Sequence, residues 1–457
     1  MSIDLSLDRI RVLLEHLPIY DRPTVHIAGT NGKGSVTALV SSILEAARLS
    51  VGRFNSPHLI SVRDSIYVNG APALETDYEF ARAVVMQADK ECGSNVSNFE
   101  LLTCTALYLF QRAKVDVVVL EAGMGGRLDA TNAIPDASVL VSALTTVDLD
   151  HQAFLGDTVT KIATEKASIA RPGRPFVLGP QSHSEAAEAA KEVVGRIGGE
   201  IIVAPVALLR EWPVVMSMAC FGSPILAQLP LIGEHQLCNL GVAVTIISTI
   251  LSRSSCASLL PIQRRVTPSV VAAGIKSTHW PGRLSFHRIP LATLFPGQNR
   301  EGQLDVLADG AHNPASAEIL ATFIAQVVAG RKLHISFVLA LSHSPPKTPT
   351  QTLSALLSFK HAGIVSMSVA AVGFSPVDGM PWVKSETPSG LLNVVKTIRP
   401  DSRLWSAPDD GTSHLEEALR WSTQAAISSG NRGLVVLAGS LYLVADFYRA
   451  FGPIDVA

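Results

Sequence analysis

The chain has little of what marks a disulfide scaffold, a nucleic-acid binder or a membrane protein. Its five cysteines, Cys92, Cys104, Cys220, Cys238 and Cys256, are odd in number and form no C-x-x-C pair. That argues against a disulfide framework or zinc site and suits reduced, buried thiols inside a cell. Charged residues make up only 17% and the formal net charge is −2, so no nucleic acid or membrane partner is expected and any anionic ligand must be met locally. The longest apolar stretch, residues 240–251, falls short of the roughly 20 residues that span a bilayer. It follows the polar His235, Gln236 and Asn239, and reads as a buried helix. Asp4, Asp8 and Glu15 among the first apolar residues fit neither a signal peptide nor an acid-poor transit peptide; they suggest an amphipathic first helix. No internal repeat is present.

What is there is enough apolar sequence for a large core. At 457 residues and 47% apolar content the chain exceeds the size at which one core keeps growing, so two domains are expected. Val- and Ile-rich runs at 25–28, 115–120, 138–144 and 176–178 alternate with segments of helical period at 34–48, 78–90, 101–112 and 159–170. Strand followed by helix, repeated, predicts an α/β fold with a mostly parallel sheet whose ligands bind beyond the carboxyl ends of the strands. After Trp280-Pro281-Gly282-Arg283 a fresh set of strand patterns, 304–308, 334–340 and 433–438, predicts a second α/β domain. The expected domains are residues 1–283 and 284–457, with the Pro/Ser/Thr-rich stretch 342–352 as an exposed loop.

The most informative segment is Val25-His26-Ile27-Ala28-Gly29-Thr30-Asn31-Gly32-Lys33-Gly34-Ser35, an apolar run leading into three glycines, a lysine and a serine and then into a helical pattern. Glycines let the backbone turn its N–H groups toward an anion, the following helix adds its positive end, and Lys33 supplies a mobile cation. Only two residues separate Gly29 from Gly32, and Gly34 stands between Lys33 and Ser35, so this is a phosphate loop but not the common GTPase or ATPase form. Farther on, Glu121-Ala122-Gly123-Met124-Gly125-Gly126-Arg127-Leu128-Asp129 puts a carboxylate at a strand end beside another glycine turn. Ser56, Glu121 and His151 could form the small ligand set that suits Mg²⁺, which keeps waters and substrate phosphates in its shell. Taken singly, Ser56 equally suits an N-cap before Pro57, Glu121 a helix-capping carboxylate and His151 a hydrogen-bonded loop histidine.

These residues are not isolated. The loop 29–35, Asn55-Ser56-Pro57-His58-Leu59, Phe99-Glu100, the segment 121–132, Asp150-His151, Glu165-Lys166-Ala167, Gly233-Glu234-His235-Gln236-Leu237-Cys238-Asn239, Trp280-Pro281-Gly282-Arg283 and Asp309-Gly310-Ala311-His312-Asn313-Pro314 follow one another in an order and spacing that resemble the folylpolyglutamate synthase/dihydrofolate synthase family, a branch of the Mur-type ATP-dependent amide ligases. The resemblance runs from about residue 5 to Gly439-Ser440-Leu441.

The resemblance implies an N-terminal Mur-ligase-like phosphate-loop domain with a mostly parallel sheet and a smaller Rossmann-like C-terminal α/β domain that together use ATP to activate a pteroate or folate carboxylate as an acyl phosphate, which the amine of L-glutamate attacks. It further implies that Gly29, Thr30, Asn31, Gly32, Lys33, Gly34 and Ser35 cradle ATP phosphates, that Asn239 and Arg283 contact ATP, and that Asp309 reaches its ribose. Ser56, Glu121 and His151 would hold Mg²⁺, and Lys166 would be carbamylated by CO₂, offering a place for a second divalent ion. His312 would face the incoming glutamate. Two departures stand out: Ser168 replaces the family's usual Gly after Lys-Ala, and Leu341-Ser342-His343-Ser344 stands where the family often has Asp-Lys-Asp. Asn31 in the loop and Arg127-Leu128-Asp129 after the glycines look like dihydrofolate synthases and the bacterial bifunctional enzymes, and Val377-Asp378-Gly379-Met380-Pro381-Trp382 resembles a segment of fungal dihydrofolate synthases. The expected acceptor is therefore 7,8-dihydropteroate. The alternatives are a folylpolyglutamate synthase or bifunctional enzyme extending tetrahydrofolate, and, more remotely, a non-catalytic nucleotide-binding regulator. A monomer in the cytoplasm, or in mitochondria, is expected.

Overall fold

The computed structural model describes residues 6–209, 214–218, 220–221, 223–253, 256, 264–343, 348–359 and 361–452. The chain divides into two compact units, Met1–Trp280 and Pro281–Ala457.

The first unit is built on an eight-stranded sheet: β1 (Thr24–Ala28), β2 (Val51–Phe54), β3 (Ile66–Val68), β4 (Ala71–Pro72), β5 (Val117–Glu121), β6 (Val139–Leu144), β7 (Pro175–Leu178) and β8 (Glu200–Val203), in the order β4-β3-β2-β5-β1-β6-β7-β8. Its strands run parallel except for the β2-β3-β4 meander at one edge. β1, β5 and β6 are buried along their whole length, as expected of central strands covered on both faces. Val25 and Ile27 of β1 pack with Val36, Leu39, Val40 and Ile43 of the helix Lys33–Ala46, so the helix that follows the glycine loop is anchored by its apolar stripe. A three-stranded antiparallel sheet, β9 (Leu208–Leu209), β10 (Val214–Met216) and β11 (Ile225–Ala227), covers part of the same core. The helix His235–Ser252 is, among the described residues, the one long and apolar enough to cross a membrane, and most of it is buried inside the protein.

The second unit has β12 (Ser285–Pro290), β13 (Gln303–Ala308), β14 (Leu333–Leu339), β15 (Ile364–Ala371), β16 (Arg403–Ser406) and β17 (Arg432–Ala438), ordered β12-β13-β17-β14-β15-β16. All are parallel except β12, an antiparallel edge strand on β13.

Strands with continuous apolar runs lie where the sequence predicts them. β2 was not readable that way, because Gly52 and Arg53 interrupt its pattern; Gly52 is there because its Cα faces the Phe110 ring. The stretch 342–352 is only partly a loop. Residues 344–347 lie outside the described residues, and a helix, Pro349–Leu357, starts within the stretch, with Pro at its first turn after Thr348, where a missing N–H costs nothing. The expected helix 159–170 ends at Ala167.

The inner face of β1 carries a buried histidine. His26 is fully buried and its Nε2 meets Thr131 Oγ1 at 2.8 Å. Burial, with the Arg171 charge adding to it, pushes its imidazole down to about 3. An unfolded histidine takes up a proton near 6.5, so between these values the unfolded chain binds more protons and stability is lost as pH falls, by up to about 1.4 kcal/mol per pH unit. His26→Gln should therefore show a shallower fall of unfolding free energy between pH 6.5 and about 4 than the wild type, measured by urea unfolding across that range; parallel curves would show that His26 does not contribute.

Candidate active site around the phosphate loop

The loop 29–35 leaves the carboxyl end of β1 and becomes the helix Lys33–Ala46. Thr30 and Asn31 turn their amides to one acceptor, the Thr146 carbonyl, at 2.9 and 3.1 Å. The first intrahelical bond runs from Val36 N–H to the Gly32 carbonyl at 3.0 Å, so the amides of Lys33, Gly34 and Ser35 are the helix's first-turn donors. Gly32 has φ +94°, and a Cβ there would run into Asn239 Oδ1. Only glycine fits at this point, and it brings the buried Asn239, held by its Nδ2 on Gln236 Oε1 at 2.8 Å, against the loop. Ser35 is buried at the start of the helix.

Two amines converge on one carbonyl. Lys33 Nζ donates to Gly29 O at 3.2 Å and Thr30 O at 3.4 Å, and stands 3.7 Å from Glu121 Oε1. Lys166 Nζ donates to the same Gly29 oxygen at 2.9 Å. Lys166 is 2% exposed, and burial, with the Lys33 charge adding to it, pushes its amine down to about 7. The glycine turn after Glu121 positions it: a Cβ on Gly126 would lie 2.7 Å from the carbonyls of Glu165 and Lys166. Arg127 N–H donates to the Glu165 carbonyl at 2.9 Å while its Nε reaches the Glu165 carboxylate at 3.0 and 3.1 Å.

Of the three expected metal ligands, Glu121 is drawn into this cluster and is 5% exposed. Asn55, at the end of the neighbouring β2, donates from Nδ2 to Glu121 Oε2 at 2.7 Å and to Thr37 Oγ1 at 2.6 Å. Its Oδ1 is buried with no hydrogen-bond partner among the described residues. Ser56 is half-buried and precedes Pro57 through a cis peptide bond. His151 is exposed, with a left-handed φ of 51°, and its Nε2 lies 4.0 Å from Asp150 Oδ2. Among the described residues no three His, Cys, Asp or Glu side chains form a metal-binding group. The donors on hand are hard oxygens and one imidazole beside a cation and helix N–H groups, a set that fits Mg²⁺ carried in with phosphate oxygens and water rather than an all-protein cage.

The second unit carries Arg283, Asp309 and His312. Asp309 is 8% exposed and both its oxygens accept backbone amides, Leu284 N–H at 2.7 Å and Ala311 N–H at 2.8 Å. Burial raises its carboxyl, and the nearby Arg283 opposes that rise. It thus holds Leu284, which has a left-handed φ of 46°, and fixes the turn that bears Arg283. Gly282 N–H is held in turn by Ser285 Oγ at 3.1 Å and Tyr448 Oη at 3.3 Å. His312 is exposed, and its Nδ1 donates to the Gly310 carbonyl at 2.9 Å. Where the family often has Asp-Lys-Asp, His343 Nδ1 pairs with Glu386 Oε1 at 2.7 Å.

Asn55 stands in the Asn55-Ser56-Pro57-His58-Leu59 segment but was not among the expected site residues; its place beside Glu121 comes from β2 pairing with β5, which the sequence pattern does not show. Thr145 and Gln181, which brace the loop, carry no sequence signal.

Residues 27–193 match the Mur ligase middle domain and residues 293–450 match the dihydrofolate synthetase C-terminal domain. The chain is 33% identical to the dihydrofolate synthetase of Saccharomyces cerevisiae over 98% of both chains. It is 34% identical to the probable dihydrofolate synthetase of Schizosaccharomyces pombe, covering 98% of this chain and 99% of that one. Among solved structures it resembles Mycobacterium tuberculosis folylpolyglutamate synthase complexed with ADP and AMPPCP (TM-score 0.75, 27% identity, 98% of this chain and 95% of that one). It also resembles E. coli FolC in complex with DHPP and ADP (TM-score 0.72, 25% identity, 98% and 94%). With a phosphate loop of this variant form and relatives matched end to end, the chain belongs to the folylpolyglutamate synthase/dihydrofolate synthase family of Mur-type ligases.

Proposed function

We propose that this chain is a dihydrofolate synthase, joining L-glutamate to 7,8-dihydropteroate with ATP to give dihydrofolate, ADP and phosphate. The observation that carries the reading is the cluster at the phosphate loop: helix N–H donors, Lys33, Glu121 and Asn55 within hydrogen-bond or ion-pair reach of one another, with Lys166 on the Gly29 carbonyl. Relatives named dihydrofolate synthetase over the full length support the acceptor, as do Asn31 and Arg127-Leu128-Asp129.

In this reading the pteroate carboxylate attacks the γ-phosphorus of ATP and ADP leaves. The glutamate amine then attacks the acyl phosphate carbon, phosphate departs, and the amine loses its proton. Both anions in the first step must be screened. Lys33, folded back on loop carbonyls, is a compact cation able to turn to the phosphates, and the amides at the start of Lys33–Ala46 supply fixed donors where charge develops. Ser56, Glu121 and His151 would hold Mg²⁺, which when bound offsets phosphate charge. The unpartnered Asn55 Oδ1 is a further oxygen donor. His312 would orient or stabilise the acyl phosphate, and Arg283, Asn239 and Asp309 would serve ATP.

Lys166 would act as a carbamate. An amine pushed down to about 7 is partly neutral at physiological pH; its lone pair adds to the carbon of CO₂, one proton is released, and a cation becomes an anion with two oxygens. Lys166→Arg, always charged, should be nearly inactive, and Lys166→Ala should be inactive but partly rescued by a short added carboxylate. A fully active Lys166→Arg enzyme would sink the carbamate.

Glu121→Ala and His151→Ala should each remove a ligand from a shell otherwise made of water and phosphate, so turnover should collapse at limiting Mg²⁺ while the fold survives. Near-normal turnover of both, measured across a Mg²⁺ titration, would refute the metal assignment.

The decisive experiment supplies ATP, Mg²⁺ and glutamate with either dihydropteroate or tetrahydrofolate. The first glutamate must be joined to a benzoate carboxylate close to the pterin, whereas chain extension places a γ-carboxylate farther off, and a misplaced reacting group costs turnover steeply. Dihydropteroate should be used far better, with dihydrofolate monoglutamate as main product. Comparable kcat/KM for both acceptors would indicate a bifunctional enzyme, and preference for tetrahydrofolate a folylpolyglutamate synthase.

A further inference from the structure

Beyond the residues that meet substrates, the phosphate loop is braced by a segment whose shape depends on one distant side chain. Residues 145–148 follow β6 and bind the loop along its length. Thr145 N–H donates to the Ala28 carbonyl at 2.9 Å, and Thr30 and Asn31 N–H share the Thr146 carbonyl. The Thr145 hydroxyl donates to the Asn31 carbonyl at 2.7 Å. Asp148 N–H donates to Thr30 Oγ1, and Thr30 Oγ1 donates to the Asp148 carbonyl, both at 3.1 Å. The bracing side chain lies so close to the loop that a Cβ on Gly29 would collide with Thr145 Oγ1. The 145–148 segment thus accepts the Thr30 and Asn31 amides and donates to the Asn31 carbonyl.

The segment is in turn held by Gln181, which follows β7. Its Oε1 accepts Val147 N–H at 2.9 Å, and its Nε2 donates to the carbonyls of Thr145 at 3.0 Å and Gly179 at 2.9 Å. Gly179 N–H donates to the Leu144 carbonyl at 2.8 Å, which keeps Gln181 in register with the end of β6. The amide thus uses both hydrogens and its oxygen on backbone, a pattern only a primary amide of this length satisfies: a carboxylate would set oxygen against two carbonyl oxygens, and a thioether would leave all three groups bare. The same segment runs on into Asp150 and His151.

We propose that Gln181 is a positioning residue of the ligase, acting through residues 145–148 to set the phosphate loop and the approach to His151. This rests on the reading that residues 29–35 hold ATP phosphates. The hydrogen bonds of Gln181 go to the backbone of Thr145, Val147 and Gly179, so its effect is carried by backbone placement, to which reacting geometry is sensitive.

Steady-state kinetics of the full chain with ATP, Mg²⁺, glutamate and dihydropteroate test this on Gln181→Glu and Gln181→Met, each checked for thermal stability. Met keeps the volume and, should Glu fail to fold, answers alone. The expected result is a rise of about tenfold in KM for ATP and in the Mg²⁺ midpoint, with KM for glutamate and dihydropteroate within about twofold of wild type. Unchanged KM for ATP, or a loss of stability with all three KM values moving alike, would overturn the proposal and leave Gln181 a general structural residue. Lys33→Ala serves as the control. If its ATP dependence is unaltered, the phosphate-loop reading itself fails; if Lys33→Ala loses ATP dependence while the Gln181 variants do not, only the positioning role fails.

Discussion

The arrangement in the first unit depends on one carbonyl oxygen, that of Gly29, receiving two lysine amines. Lys166 comes to it at 2.9 Å and Lys33 at 3.2 Å, and two ammonium groups that close repel each other in a buried place. Burial, with the Lys33 charge adding to it, is what drives the Lys166 amine down to about 7. Nearly every other feature of the site serves this convergence. The Gly126 backbone lets the helix Val159–Ala167 approach, Arg127 ties that approach to Glu165, and Thr145 braces the loop from behind.

A buried lysine of this kind works against stability until it is modified or answered by opposite charge. Glu121, Asp129 and Asp150 act on it in the favourable sense, and the first of these is also bound by Asn55 and faces Lys33. The carboxylate is therefore shared between an amide and a cation. Such a partly answered cluster fits a site made to receive charge, whereas in an ordinary core every member would already be satisfied.

The second unit solves a different problem with the same kind of group. Asp309 uses both oxygens on backbone amides and holds the turn of Gly282, Arg283 and Leu284 in a left-handed shape that a leucine does not adopt unaided. A residue expected only to meet a nucleotide is thus also a structural tie, and the orientation of Arg283 depends on it.

The sequence by itself determined the class of fold and the chemistry. Apolar runs such as 115–120 and 138–144 alternate with helical segments, and the glycine, lysine and serine types in residues 29–35 point to an anion site, because local periodicity and glycine chemistry depend on neighbours along the chain. Asn31 and Arg127-Leu128-Asp129 carried the acceptor reading only through their resemblance to dihydrofolate synthases. What only the tertiary structure decided is which groups meet. The pairing of Asn55 with Glu121 requires β2 and β5 to lie side by side. The bond from Lys166 to Gly29 spans 137 residues, and the hold of Gln181 on Thr145 spans 36. β2 itself was hidden because Gly52 and Arg53 break its pattern, Gly52 for a reason that exists only once Phe110 is packed against it and Arg53 for one that exists only once Tyr67 lies under its guanidinium. Contacts of that separation arise from strand order and backbone close approach, and neither is written in the spacing of residue types.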